Sequence, residues 1–131
     1  MTTRDVIAAY FDAFNAGDTA AMAALLTEDV EHHVNQGGIR RGKAAFEEFS
    51  AHMTRCYRER LSDLVVFAEG DRAAAEFTVH GEYLATDEGL PDAAGQTYKL
   101  PAGSFFELRG GKIARVTTYY NLADWTRQVG G

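Results

Sequence analysis

Two adjacent histidines, His32 and His33, are the residues of this chain best suited to moving protons. Imidazole titrates near neutral pH and serves as base or acid without a large pKa shift. The pair lies in Val30-Glu31-His32-His33-Val34-Asn35, where Val30, His32 and Val34 alternate with Glu31, His33 and Asn35. That is the period of a strand, so only one of the two faces inward. Alternation with the valines places His32 on the apolar side, whereas a bulge after it would bring His33 or Asn35 inward. A histidine held by a neighbouring side chain, or a merely exposed His33, is the structural alternative. Other charged clusters carry weaker chemistry. Glu76, Thr78, His80 and Glu82 share one face of a later strand, but alternate spacing along a strand is a poor ligand pattern, and no Cys/His cluster has zinc spacing. No metal is expected. Arg40, Arg41 and Lys43 precede a helix start, where free amides favour an anion, or they form a solvated loop. No Gly-rich phosphate loop is present, so no cofactor is implied.

The elements that must position these groups follow from periodicity. From Thr3, Val6, Ile7, Tyr10, Phe11 and Phe14 form one helical stripe, and Gly17 stands where a left-handed cap would end it. Asp18 can cap a second, Ala-rich helix through Met22, Leu25 and Leu26. Val30–Asn35 is a strand broken by Gly37-Gly38, and Lys43–Tyr57 is a third helix with Ala44, Phe46, Phe49 and Met53 at helical spacing. Leu61–Ala68 and Arg72–Leu84 are strands joined at Glu69-Gly70-Asp71. Ala85–Gln96 is a surface loop that could serve as a lid. Thr97–Leu108 and Lys112–Tyr120 pair around Gly110-Gly111, before a tail helix over Leu122–Val129. The order α-α-β-α-β-β-β-β with a short C-terminal helix favours an α+β fold with a curved, mostly antiparallel sheet around the N-terminal helices. On Arg72–Leu84 the apolar face is Ala73, Ala75, Phe77, Val79, Gly81 and Tyr83. It continues as Leu100, Ala102, Ser104, Phe106 and Leu108, then Val116, Thr118 and Tyr120.

Composition narrows the partners. The 131 residues suit one domain, 1–131, with 46% hydrophobic and 24% charged residues, too apolar for a disordered chain. Thirteen Lys and Arg against 19 Asp and Glu give a net charge of −6, the wrong sign for neutralising a phosphate backbone, so nucleic acid is not an expected partner. The start Met1-Thr2-Thr3-Arg4-Asp5 has no long apolar segment, and no stretch approaches the roughly 18 apolar residues of a spanning helix. With one cysteine, Cys56, nothing demands an oxidising compartment. The expected location is cytoplasmic, without membrane.

The run Tyr10-Phe11-Asp12-Ala13-Phe14-Asn15-Ala16-Gly17-Asp18, then Leu25-Leu26-Thr27-Glu28-Asp29-Val30 and a Gly before an amphipathic helix, resembles the opening of nuclear transport factor 2-like proteins. Within them it is most similar to the polyketide-cyclase-like, ketosteroid isomerase-related branch. Phe77-Thr78-Val79-His80-Gly81-Glu82-Tyr83 and Tyr119-Tyr120-Asn121 extend the resemblance over essentially the whole chain. It implies a cone-shaped fold whose pocket lies between the concave sheet and helices one to three. It also implies a small hydrophobic organic ligand, and a homodimer built on the outer sheet face around Glu76, Thr78, His80 and Glu82. Tyr10 matches a position where isomerases keep a phenol that donates to an oxyanion; an aromatic on an apolar stripe is otherwise core. Family isomerases place a carboxylate base near the end of the first strand, where Val34 stands here, so His32 would have to accept the proton. Ser104 stands where they carry a protonated Asp. Asn121 matches a position often Asp in the cyclase-like branch, and also suits a helix N-cap. The implied protein is a small-molecule-binding cone, a cofactor-independent isomerase, cyclase or dehydratase of hydrophobic oxygenated substrates. Its catalytic group would be His32, Tyr10, Asn35 and Asn121, with His33, Phe77, Tyr83, Ser104, Phe106, Thr118 and Tyr120 around the substrate. The alternative is a non-catalytic ligand-binding or dimerisation module on the same scaffold.

Overall fold

The computed structural model describes residues 1–35 and 37–130. Helix α1 (Thr3–Asn15) starts at a capping box: the Thr2 side chain accepts from the Asp5 amide, and the Asp5 carboxylate accepts from the Thr2 amide. It buries Val6, Ile7, Tyr10, Phe11 and Ala13 and ends before Gly17, whose φ of 68° is the left-handed conformation expected there. Asp18 caps α2 (Thr19–Ala24) through the Ala21 amide. The remaining elements are β1 (Leu26–Val34), β2 (Arg40–Arg41), α3 (Lys43–Cys56), β3 (Tyr57–Glu69), β4 (Arg72–Tyr83), β5 (Thr97–Arg109), β6 (Lys112–Tyr120) and α4 (Leu122–Gly130).

One six-stranded sheet has the order β2-β1-β6-β5-β4-β3. Among the described residues β1 and β6 run parallel, and every other pair is antiparallel. The fold is the expected α+β architecture, with helices on the concave face. Phe11 packs 5.2 Å from Phe77 and 5.8 Å from Phe106, and Tyr10 lies 5.7 Å from Phe106, so α1 fills the middle of the curved sheet. The expected strand faces hold. Ala73, Ala75, Phe77, Val79 and Tyr83 are buried, while Glu76 is exposed and Glu82 pairs with exposed Arg58.

Several boundaries differ from the sequence reading. The second helix stops at Ala24 instead of running through Leu26, because the Leu25 carbonyl accepts from the Ile113 amide and Leu26 joins the sheet. Strand β1 therefore begins four residues before Val30. Helix α3 passes into β3 at Tyr57 with no connecting loop, so this strand begins before Leu61; Tyr57, Arg58 and Glu59 pair with Tyr83, Glu82 and Gly81. The charges of Arg58-Glu59-Arg60 hide that strand from a hydrophobicity count. The two-residue β2 is a further difference: Arg40 and Arg41, expected before the helix start or in a solvated loop, pair with His32 and Glu31 of β1. The 85–96 segment is irregular as expected, yet tied down: the Tyr83 hydroxyl donates to the Pro91 carbonyl (2.6 Å) and accepts from the Asp87 amide (2.9 Å), and Gln96 donates to the Val129 carbonyl (2.9 Å).

Candidate functional site

A cavity of about 450 Å³ opens where the end of α1, the start of α2 and the C-terminal half of α3 meet β3. This is the size range of small-molecule sites. Phe14, Met22 and Met53 supply apolar walls, Asn15, Ser50 and Thr54 polar points, and Tyr57, Arg58, Glu59 and Leu84 the sheet side. The wall is braced from below: Asn15 Nδ2 donates to the Leu61 carbonyl (3.0 Å) and its Oδ1 accepts from the Leu61 amide (2.8 Å), fastening the end of α1 to β3. A second groove of about 450 Å³ lies over Asp29, Glu31, Arg41, Glu107, Arg109 and Arg115. Its charges satisfy one another as Arg41–Glu31, Arg109–Asp29 and Arg115–Glu107 pairs, leaving little for a ligand.

Glu59 is the acid of the first cavity. Alternation along β3 turns Tyr57, Glu59 and Leu61 to the concave side. Burial raises the Glu59 pKa above the ordinary carboxyl value, partly offset by a hydrogen bond from Tyr98, whose hydroxyl lies 2.5 Å from Oε2. Tyr98 stands on β5, two strands away, and reaches Glu59 across Gly81 of β4, which pairs with both residues. A Cβ on Gly81 would lie 2.1 Å from the Tyr98 ring, so the hydrogen bond exists because position 81 has no side chain. Tyr120, inward on β6, has its pKa raised by burial and then by the nearby charges of Glu59 and Asp87. Tyr57 donates to Asp87 Oδ2 (2.7 Å), with its own pKa pushed up by burial and that bond. Trp125 of α4 packs on Tyr57, Tyr83 and Tyr98, at ring distances of 6.1, 5.1 and 5.9 Å, and holds the phenols in place. A carboxyl among phenols can exchange a proton with, or hydrogen-bond to, an oxygen of a bound molecule.

The sequence-derived residues lie elsewhere, and Tyr10, Phe77 and Phe106 come together as core around α1. His32 faces inward, 5% exposed, with its ring 5.3 Å from Phe46 and 4.8 Å from Phe49. Burial, then the positive charges of Arg40 and His33, lower its pKa to about 4, so the ring is neutral at pH 7. Its Nδ1, and Nε2 of His33, are buried without a hydrogen-bond partner among the described residues. Burial also raises the Tyr10 pKa. The amide oxygen of Asn35, at φ 49°, accepts from the Tyr120 amide (2.8 Å), and that of Asn121 caps α4 at the Asp124 amide (3.0 Å). Ser104 and Thr118 hydrogen-bond each other (2.7 Å), and Tyr83 organises the 85–96 segment. None of these side chains lines either cavity; Tyr120 joins the site only through its electrostatic coupling to Glu59.

Glu59, Tyr98, Tyr57 and Asp87 escaped the sequence reading, which placed Glu59 in no element and Asp87 in a loop. Gly81 was the available signal, because a glycine within an apolar strand face marks a place where something crosses. A metal could be sought at His52, Cys56 and Asp87, whose ligand atoms lie within 4.8 Å of one another. His52 Nε2 already contacts Asp87 (3.0 Å), its Nδ1 faces Arg55 (2.9 Å), and Tyr57 holds the other Asp87 oxygen, so the histidine and the carboxylate are already engaged.

The curved sheet wrapped on three N-terminal helices is the nuclear transport factor 2-like cone. A nuclear transport factor 2-like protein from Burkholderia pseudomallei matches it with a TM-score of 0.84 over 100% of both chains at 16% identity. The SnoaL-like domain matches residues 7–116, and the chain belongs to that family. It is similar to a candidate polyketide cyclase from a Silicibacter species, at 65% identity and TM-score 0.96 over 98% of this chain and 96% of that one. A candidate polyketide cyclase from Pseudomonas putida is 63% identical, with the same TM-score, over 98% of each. TerC, crystallised with polyporic acid, shares the fold at 21% identity and TM-score 0.81 over 98% of both chains. No curated protein matches the chain. Among the described residues no helix is long and apolar enough to cross a membrane.

Proposed function

We propose that this protein binds a small hydrophobic, oxygen-bearing organic molecule in the cavity between α1, α2, α3 and β3, and isomerises, cyclises or dehydrates it by acid–base chemistry without a cofactor. The observation that carries this reading is an apolar cavity of about 450 Å³ with a carboxyl on its wall. Relatives at 63–65% identity described as candidate polyketide cyclases support the substrate class, as does a distant relative holding polyporic acid. A panel of hydrophobic ketones, phenols and quinones, titrated by ligand-observed NMR, should include binders, and Ser50→Trp, which fills the cavity from α3, should abolish their binding. Binding untouched by Ser50→Trp, or no binder in the panel, would overturn it.

A non-catalytic binding module is the second reading. It is favoured by the placement of His32 against Phe46 and Phe49, neutral and away from the cavity lining, and by the use of Asn35 and Asn121 as backbone clamps. Turnover of any bound panel member excludes it. The protein is further proposed to pair as a homodimer through the outer sheet face, where Phe67 is 61% and Phe105 48% exposed and Phe105 packs edge-on against Tyr119. A monomeric mass by light scattering at about 100 μM, above the Kd of weak specific complexes, contradicts this. Its one cysteine, free and buried, suits the reducing cytoplasm.

A further inference from the structure

The proposed function names a cavity and a class of molecule but not the group that recognises it. Among the described residues Glu59 is the one carboxylate lining the cavity, and its Oε2 accepts a hydrogen bond from the Tyr98 hydroxyl. Oε1 has no hydrogen-bond partner among the described residues. A carboxyl with one oxygen tied and the other free, set near Phe14, Met22 and Met53, presents a directional polar group to whatever enters.

We infer that Glu59 is the specificity-determining hydrogen-bond donor of this cavity, that Tyr98 positions it by reaching over Gly81, and that the ligand offers Oε1 a carbonyl oxygen. The inference rests on the cavity being the ligand site. Its chemistry is that of a carboxylic acid: the protonated form donates from Oε1 while Oε2 accepts from Tyr98. Burial supports that form, since it disfavours the charge. The other ionisable groups around it leave the assignment intact. Tyr57 on the same strand donates to Asp87, Tyr120 on β6 is a partly buried phenol, Arg58 turns outward to Glu82, and α1 and α3 contribute Phe14, Asn15, Ser50, Met53 and Thr54, none of them charged. Asp87 is held by Tyr57 and His52 and belongs to the 85–96 segment, outside the cavity lining. Tyr98 is a positioning residue in this scheme, since its hydroxyl touches Glu59 and is not among the lining groups.

The test compares 1-tetralone with tetralin, the same bicycle without the carbonyl, by ligand-observed NMR titration on the full chain. The quantity read is the ratio of the two dissociation constants, which cancels their shared hydrophobic burial. Glu59→Leu should shift that ratio against the ketone by about five- to tenfold, the effect of losing one hydrogen bond. Glu59→Gln, which keeps an N–H donor of the same length, should hold the ratio within about twofold of the parent on the same ground. Tyr98→Phe keeps the ring and removes the hydroxyl. It should raise the pH at which the Glu59 Cδ resonance titrates, a change that loss of packing alone would not produce. If the parent binds neither probe, the cavity reading fails and this inference falls with it. If both probes bind and Ser50→Trp abolishes them, yet Glu59→Leu leaves the ratio unchanged, the cavity reading survives and the assignment to Glu59 is wrong. Equal losses in the Leu and Gln variants would mark a distortion of β3 rather than a lost donor, and would also overturn it.

Discussion

His32 and Glu59 occupy two regions of one concave surface, and burial acts on them in the same sense with opposite consequences for chemistry. At His32 the ring is closed in by Phe46 and Phe49 with Arg40 nearby, and the cationic form is so disfavoured that the pKa falls to about 4. At Glu59 the same loss of water raises the pKa of an ordinary carboxyl. Both groups are pushed toward neutrality. Only Glu59 stands on a cavity wall, because α1 fills the middle of the sheet and leaves space where α1 turns into α2. The residue type with the ordinary pKa nearest neutrality thus lies closed in against aromatic rings, while a glutamate on a cavity wall has its pKa raised by its surroundings. A perturbed group marks a site when it also meets a space that a molecule can enter.

The comparison can be broken from the closed side first. Phe46→Ala removes a nearly fully buried ring beside His32, and should cost about 3–5 kcal/mol in denaturant unfolding. Water admitted to the void should raise the His32 pKa from about 4 toward its ordinary value, read by imidazole NMR. An unchanged pKa would mean that burial is not its cause.

The next effect is the pH dependence of stability. The folded pKa of His32 lies below its unfolded value of 6.5, so between the two values the unfolded chain binds more protons. Its stabilising contribution is full above pH 6.5, declines as pH falls to about 4 and then levels, a loss of about 3 kcal/mol for a shift of this size. Replacing it as His32→Phe should flatten that part of the stability curve. An equal slope in parent and variant would assign the acid sensitivity to other groups.

On the open side, Gly81→Ala puts a methyl where the Tyr98 ring now lies and should cost about 1–3 kcal/mol, as overpacking does. It should also move the Glu59 titration, because the Tyr98 bond would be displaced. A variant as stable as the parent, with Glu59 unmoved, would show that the ring does not depend on the gap. The smallest effect expected is at Asn121, where Asn121→Ala removes the cap of α4 and should cost about 1 kcal/mol by thermal unfolding. A loss of turnover without loss of stability would instead point to the catalytic role that the family resemblance suggests for this position.

Local physics was legible in the chain itself. The buried stripe from Val6 to Phe11, the left-handed Gly17 and the alternating faces of β4 and β5 follow from bonds and periods within a few residues. They sufficed for the α+β class and for His32 facing inward. What the chain could not disclose alone depends on partners distant in sequence. The start of β3 at Tyr57 is decided by pairing with β4 across a run of charges, and the end of α2 at Ala24 by the capture of Leu25 by β6. The site is of this second kind. Glu59, Gly81 and Tyr98 stand 22 and 17 residues apart in order (81 − 59 and 98 − 81), and only the β3-β4-β5 register stacks them in one line. A pKa is set by what surrounds a group in space, so the titration behaviour of His32 and Glu59 was a property of the tertiary structure from the start.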